Sequence, residues 1–252
     1  MKLTILGSGT LIPNGKKNSA GFFVETSNAR IMLDCGAGTL HALARFGVEW
    51  QSLTHLFLSH FHVDHIGELA SLFFALRYGL SRERQQPLML IAPQGIDRIL
   101  ECLKQAFGEK IFNPPFPFQQ RVVAAGDTLQ IADDCHLTFA KTPHTDESLA
   151  IKIISEGKTL GYTGDTDFSE SLMRFFHHTD LLISECAYLE PQAGKKHLSI
   201  TDLGKLAMGS EVNQLVITHT YFNLPEAEIQ QRLGAIFTGE IIIGSDGLSL
   251  EV

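Results

Sequence analysis

The sequence predicts an α/β fold built on paired β-sheets, and three observations carry that expectation. Short apolar runs of strand length recur along the 252 residues and alternate with segments of helical spacing. Turn signals such as Ser27-Asn28, Gly126-Asp127 and Glu156-Gly157 separate many of the runs. Six polar residues, Asp34, His60, His144, Asp165, Glu185 and His219, each stand just beyond an apolar strand-like run. Strand ends of that kind collect at one edge of paired sheets, where loops converge on a shared site.

In chain order, residues 2–7 alternate as a first strand, and Pro13-Asn14-Gly15-Lys16-Lys17-Asn18 reads as a polar loop. Segments 20–25 and 30–33 form a hairpin. Asp34-Cys35-Gly36-Ala37-Gly38 then opens a helix over 40–46. The segment 60–65 is expected as an extended continuation of the apolar run 56–58, followed by a helix over 66–78. A charged loop at 81–86, a strand at 88–92 and a helix at 96–107 come next. Three prolines keep 111–118 out of a helix. It is an apolar loop that packs over the core, covers the site or meets another subunit.

Strands are predicted at 121–124, 128–132 and 136–141, with a hairpin from 149–154 and 158–162. A helix at 169–177 precedes a strand at 180–184. Ser199 with Asp202 caps a helix at 200–208. A strand at 214–218, a helix with Pro225 in its first turn and strands at 241–243 and 248–251 finish the chain. With no long linker and no low-complexity tract, residues 1–252 read as a single domain.

Composition narrows the function. No apolar run reaches about 18 residues, so no membrane span is expected. The start lacks the apolar core and cleavage site of a signal peptide. Cys35, Cys102, Cys135 and Cys186 are scattered without a CxxC pair, which fits reduced thiols and a cytoplasmic location. A net charge of −8 argues against non-specific binding along nucleic acid.

The chemistry centres on Ser59-His60-Phe61-His62-Val63-Asp64-His65-Ile66-Gly67. Imidazoles suit a borderline metal such as zinc, and Asp64-His65 suits a second ion beside the first. Asp34 is expected behind the ligands, accepting a hydrogen bond from a ligand histidine. Arg77, Arg82 and Arg84 follow the motif and read as salt-bridged surface residues or as contacts to a substrate phosphate. His41, His55, His136, His177 and His178 read as structural or exposed.

His60-Phe-His62-Val-Asp64-His65, then His144, Gly164-Asp165-Thr166 and His219, resemble the ordered metal signature of the metallo-β-lactamase fold superfamily. Gly7-Ser8-Gly9-Thr10, Asp34-Cys35-Gly36-Ala37-Gly38-Thr39, and Glu185 followed by Lys196-His197-Leu198-Ser199 are similar to its ribonuclease Z-like branch. The resemblance implies a four-layer αββα sandwich of two mixed β-sheets flanked by helices. It implies two divalent metal ions, with His60, His62 and His144 on one and Asp64, His65 and His219 on the other, bridged by Asp165. Zinc is favoured by the donor set, with manganese or iron as alternatives. It further implies a metal-dependent hydrolase in which zinc-bound hydroxide attacks phosphorus. His197, held by Glu185, assists the leaving group, so Asp64, His197 and Glu185 are the catalytic candidates.

Two departures bear on substrate. Only twenty residues separate His144 from Asp165, and a hairpin uses them, which leaves no room for the branch's transfer-RNA-binding arm. The 13–18 loop has Lys17 where the branch commonly has arginine. Both favour a small phosphodiester, with RNA cleavage of the ribonuclease Z type as the alternative. A carbonyl-ester, lactone or thioester hydrolase leaves Glu185 and His197 without a task, and a non-catalytic sensor predicts eroded ligands. The apolar helix containing Phe73 and Phe74 suggests a homodimer like those of the branch, or equally burial in the chain's own core.

Overall fold

The computed structural model describes residues 1–79 and 84–252, which fall into two compact units. The first comprises Lys2–Val123 with Asp246–Ser249. It contains β1 (Lys2–Gly7), β2 (Gly21–Glu25), β3 (Arg30–Leu33), α1 (Thr39–Arg45), β4 (His55–Phe57), α2 (Val63–Ile66), α3 (Leu69–Tyr78), β5 (Leu88–Ala92), α4 (Ile96–Phe107) and β6 (Phe118–Val122). These strands form one mixed sheet in sequential order, extended beside β1 by the final strand of the chain, Ser249–Glu251. The β1–β3 stretch is antiparallel and β3–β6 is parallel. The change follows from the connections, because a tight turn can only reverse a strand whereas a helical crossover returns it in the same direction.

The second unit comprises Met1, Ala124–Ser245 and Leu250–Val252. It repeats the plan with β7 (Thr128–Ala132), β8 (Cys135–Lys141), β9 (Leu149–Ser155), β10 (Lys158–Tyr162), α5 (Glu170–Phe175), β11 (Leu181–Glu185), α6 (Ile200–Gly209), β12 (Gln214–Thr218), α7 (Glu226–Gly234) and β13 (Glu240–Ile243). Strands β7 to β10 are antiparallel and β10 to β13 parallel. The β9–β10 turn is tight because Glu156 and Gly157 both adopt positive φ, 56° and 71°, the twist a two-residue hairpin requires. Within each sheet the parallel strands point their carboxyl ends to one edge of that sheet. That is where an open α/β sheet places its ligands. The two mixed sheets flanked by helices are the expected fold class.

Three local expectations are corrected. The 60–65 segment is not extended: β4 stops at Phe57, and Asp64 and His65 lie in the helical turn α2, whose N-cap is His62. The 66–78 helix is two helices, since α2 ends at Ile66 and α3 begins at Leu69. The 111–118 loop starts as a 3-10 turn at Glu109–Phe112. Its buried Ile111, Phe112 and Phe116 join the first unit's core around Phe73, with Phe73 and Phe112 rings 5.0 Å apart. Core packing is therefore the role of that loop. Among the described residues, no helix is long and apolar enough to cross a membrane.

His55, at the head of β4, is buried with Nδ1 2.8 Å from Thr54 Oγ1. Burial lowers its imidazole from 6.5 to about 4. The unfolded chain therefore takes up a proton that the fold refuses, and stability falls as pH drops from about 6.5 to about 4. His55→Gln should flatten that part of the stability–pH curve, by at most about 3 kcal/mol. Denaturant titrations of both proteins across the interval provide the check.

Candidate metal site and general acid

Asp34 organises the donors of the first unit. It follows β3 in a left-handed conformation, φ 57°, which turns its carboxylate toward the loop after β4. Oδ1 accepts from Ser59 N at 2.7 Å, while Oδ2 accepts from Ser59 Oγ and from His65 Nδ1, each at 2.7 Å. Capture of Ser59 N by this side chain helps end β4 before His60. Gly36 lets α2 sit on this turn, because a β-carbon there would stand 2.1 Å from Asp64 O. Cys35 N donates to His65 O at 2.6 Å, and Glu68 N to Cys35 O at 2.9 Å. The Glu68 carboxylate in turn takes Gly38 N, at 2.9 Å, and Leu40 N at the start of α1.

These bonds define tautomers. Ser59 Oγ donates to Asp34, so it accepts from His60 Nδ1 at 3.0 Å. Asp34 likewise takes the Nδ1 proton of His65. Both rings are buried and carry their hydrogen on Nδ1, so Nε2 is the nitrogen a metal would take. The rings lie 4.2 Å apart, and His62, more exposed, is 4.6 Å from His60. Asp64 is buried on α2. Asp34→Ala should weaken metal binding about 10–100-fold while leaving every direct donor in place. Competition against a chromogenic chelator measures this.

In the second unit His144 follows β8, Asp165 follows β10, Glu185 ends β11 and His219 follows β12. His144 Nδ1 donates to Lys196 O at 2.9 Å, and a carbonyl can only accept, so this ring has the same tautomer. The buried Asp165 carboxylate has Oδ2 3.7 Å from His144 Nε2 and Oδ1 3.6 Å from His219 Nε2. Both distances exceed a hydrogen bond and approach the roughly 3.3 Å between two donors about 2.0 Å from one tetrahedral ion. Neutral imidazoles presenting Nε2, together with buried carboxylates, fit divalent metal.

His197 is partly exposed, and its Nδ1 donates to Glu185 Oε1 at 2.9 Å, closer than the 3.9 Å to Asp165 Oδ2. Glu185 Oε1 also accepts from Thr166 N at 2.6 Å. Burial, then the Asp165 carboxylate, hold the Glu185 carboxyl well above the usual carboxylate range. The ring of His197 stacks on His219 at 5.8 Å, with Tyr188 at 6.1 Å and Tyr221 at 6.2 Å.

The structure thus gathers His60, His62, Asp64, His65 and Asp34 in one unit, and His144, Asp165, Glu185, His197 and His219 in the other. Sequence reasoning missed several supports. Lys141 Nζ donates to the carbonyls of Thr145, Asp146 (2.8 Å) and Ser148 (3.5 Å), clamping the loop after His144. Lys196 contributes its carbonyl to His144 Nδ1. Tyr188 and Tyr221 had no motif to mark them. The arginines are also corrected. Arg84 is buried, its guanidinium spent on the carbonyls of Gln51, Leu53, Gln86 and Pro87 over the Phe116 ring. Arg77 donates to Asn113 O at 2.9 Å. Arg82 lies outside the described residues.

Fold and donor sets together define a metallo-hydrolase of the metallo-β-lactamase fold. A family profile described as Anti-Pycsar protein Apyc1 matches residues 1–237. The chain belongs to the Anti-Pycsar protein Apyc1 family. It is also 27% identical over 254 residues to the probable metallo-hydrolase YhfI of Bacillus subtilis (strain 168), covering 100% of both chains. The crystal structure of that metallo-β-lactamase fold protein superposes with a TM-score of 0.86 at 24% identity, covering 100% of this chain and 99% of the other. Ribonuclease Z of Mycobacterium bovis (strain BCG / Pasteur 1173P2) is 27% identical over 276 residues, covering 100% of this chain and 98% of its own. Human tRNase Z, short form, matches in structure with a TM-score of 0.80 at 17% identity, covering 100% and 99%.

Proposed function

We propose that the chain is a metal-dependent phosphodiesterase acting on a small phosphodiester, with residues 1–252 working as one hydrolase domain. The observation that carries the reading is the Glu185–His197 hydrogen bond beside Asp165 and His219. His60, His62 and His144 would hold one ion and Asp64, His65 and His219 the other, with Asp165 between them. Zinc is the metal the imidazole-carboxylate set favours. Such ions, when bound, supply hydroxide near neutral pH and positive charge for a phosphoryl oxygen.

The residues of the chain do the rest. Glu185 fixes the His197 tautomer with hydrogen on Nδ1 and stabilises the ring when it is charged, so Nε2 can deliver a proton to the departing alkoxide. Asp64 would hold one of the ions, its buried carboxylate supplying negative charge to that ion. The Ribonuclease Z relatives support a second reading, RNA cleavage. Net charge −8 and the tight β9–β10 hairpin favour the smaller substrate.

Four free thiols support a cytoplasmic location. The exposed Val63, Phe74 and Phe107 around an apolar groove support a homodimer, which sedimentation would test. The substrate class is tested with a panel at equal zinc loading: bis(p-nitrophenyl) phosphate, a thioester, a lactone and a precursor transfer RNA. Phosphodiester turnover with slow or no carbonyl hydrolysis is expected. Turnover confined to the carbonyl substrates would refute the proposal, and preference for the RNA would select the second reading.

A further inference from the structure

Two helices of the second unit finish beside one another, and each is followed by a left-handed residue that is not glycine. α5 ends at Phe175 and His178 has φ 55°; α6 ends at Gly209 and Glu211 has φ 52°. Glycine is the usual occupant of such a position because a β-carbon is strained there. His178 N donates to Ser210 O at 2.9 Å, tying the two ends together.

The consequence is a set of three exposed donors. His178 Nδ1 lies 3.4 Å from Glu211 Oε2, and the rings of His177 and His178 are 3.8 Å apart. The candidate ligand atoms of all three residues lie within 4.8 Å of one another. A simple ion pair would involve His178 and Glu211 alone, whereas the His177 ring is apposed to His178 and brings a third donor to the same point. Both helix ends also present partial negative charge, which favours a cation between them.

We propose that His177, His178 and Glu211 form a surface site for one divalent transition-metal ion, separate from the hydrolytic donors. Two imidazoles and one carboxylate match zinc, copper or nickel, whereas calcium and magnesium call for oxygen throughout. Three protein donors leave a tetrahedral ion one position for water or for a ligand from another molecule. Where left-handed strain persists at two adjacent helix ends, a function that uses the strained side chains is a reasonable source.

The test uses the full chain, wild type and the separate variants His178→Ala and Glu211→Gln. Each is saturated with zinc chloride, passed through a desalting column and analysed for bound metal. Wild type should retain one zinc equivalent more than either variant, with phosphodiester turnover unchanged. Copper(II) added to the zinc-filled protein should give a nitrogen-coordinated paramagnetic signal that His178→Ala abolishes. Equal zinc content in all three proteins, or a copper signal that survives in His178→Ala, would overturn the assignment. Neither metal readout depends on the hydrolase reading, because each is a difference between wild type and variants that share every hydrolytic donor.

Discussion

His197→Ala is expected to slow hydrolysis of phosphodiesters with alkoxide leaving groups by about 10²- to 10⁴-fold, the range for loss of a placed general acid. The loss should shrink as the leaving group improves, because p-nitrophenolate departs without needing a proton. A series of aryl and alkyl phosphodiesters of rising leaving-group pKa therefore gives a steeper dependence for the variant than for wild type. Metal content should be unchanged, since His197 Nδ1 is directed to Glu185 at 2.9 Å and not to the Asp165 carboxylate at 3.9 Å. A parallel dependence in both proteins would show that His197 does not protonate the leaving group. Glu185→Gln should reproduce part of the effect, because an amide oxygen still accepts from Nδ1–H but is a weaker partner than the carboxyl group for the imidazolium.

Asp165→Ala should be the most damaging single change to metal content. Its two oxygens face two different imidazoles, at 3.7 and 3.6 Å, so one truncation disturbs both proposed ions. Bound zinc should fall by more than one equivalent per chain relative to wild type, and phosphodiester turnover by about 10³-fold or more, as expected for residues that act as a unit. Elemental analysis alongside kinetics measures both. A variant that keeps its metal and its rate would remove Asp165 from the bridging role.

What was legible in the sequence was whatever has a local signature. The His60–His65 cluster, the strand-end placement of Asp34 and Asp165, and the Ser199 cap all announce themselves within a few residues, and Ser199 Oγ accepts from Asp202 N as expected. The α4 and β10 boundaries follow from period and turn residues alone. The misses share another cause. The extended path predicted for 60–65 fails because Asp34, twenty-five residues earlier, takes the Ser59 amide. The carbonyl of Lys196 reaches His144 from fifty-two residues away, and Asp246 holds Ser8 N at 2.9 Å and Asn18 N at 2.6 Å across most of the chain. Such bonds are set by tertiary placement, which no window of sequence contains. Arg84 misled for a related reason: a charge in a polar stretch reads as surface, yet its guanidinium satisfies four carbonyls in the interior, and burial lowers it to about 10.

The central claim, phosphodiester hydrolysis that depends on a pair of ions held by these donors, is tested most directly by stripping the protein with a chelator and titrating zinc back. Bis(p-nitrophenyl) phosphate turnover should vanish on stripping and climb to a plateau near about two equivalents per chain. Turnover that survives stripping, or that is complete at one equivalent, would contradict the account.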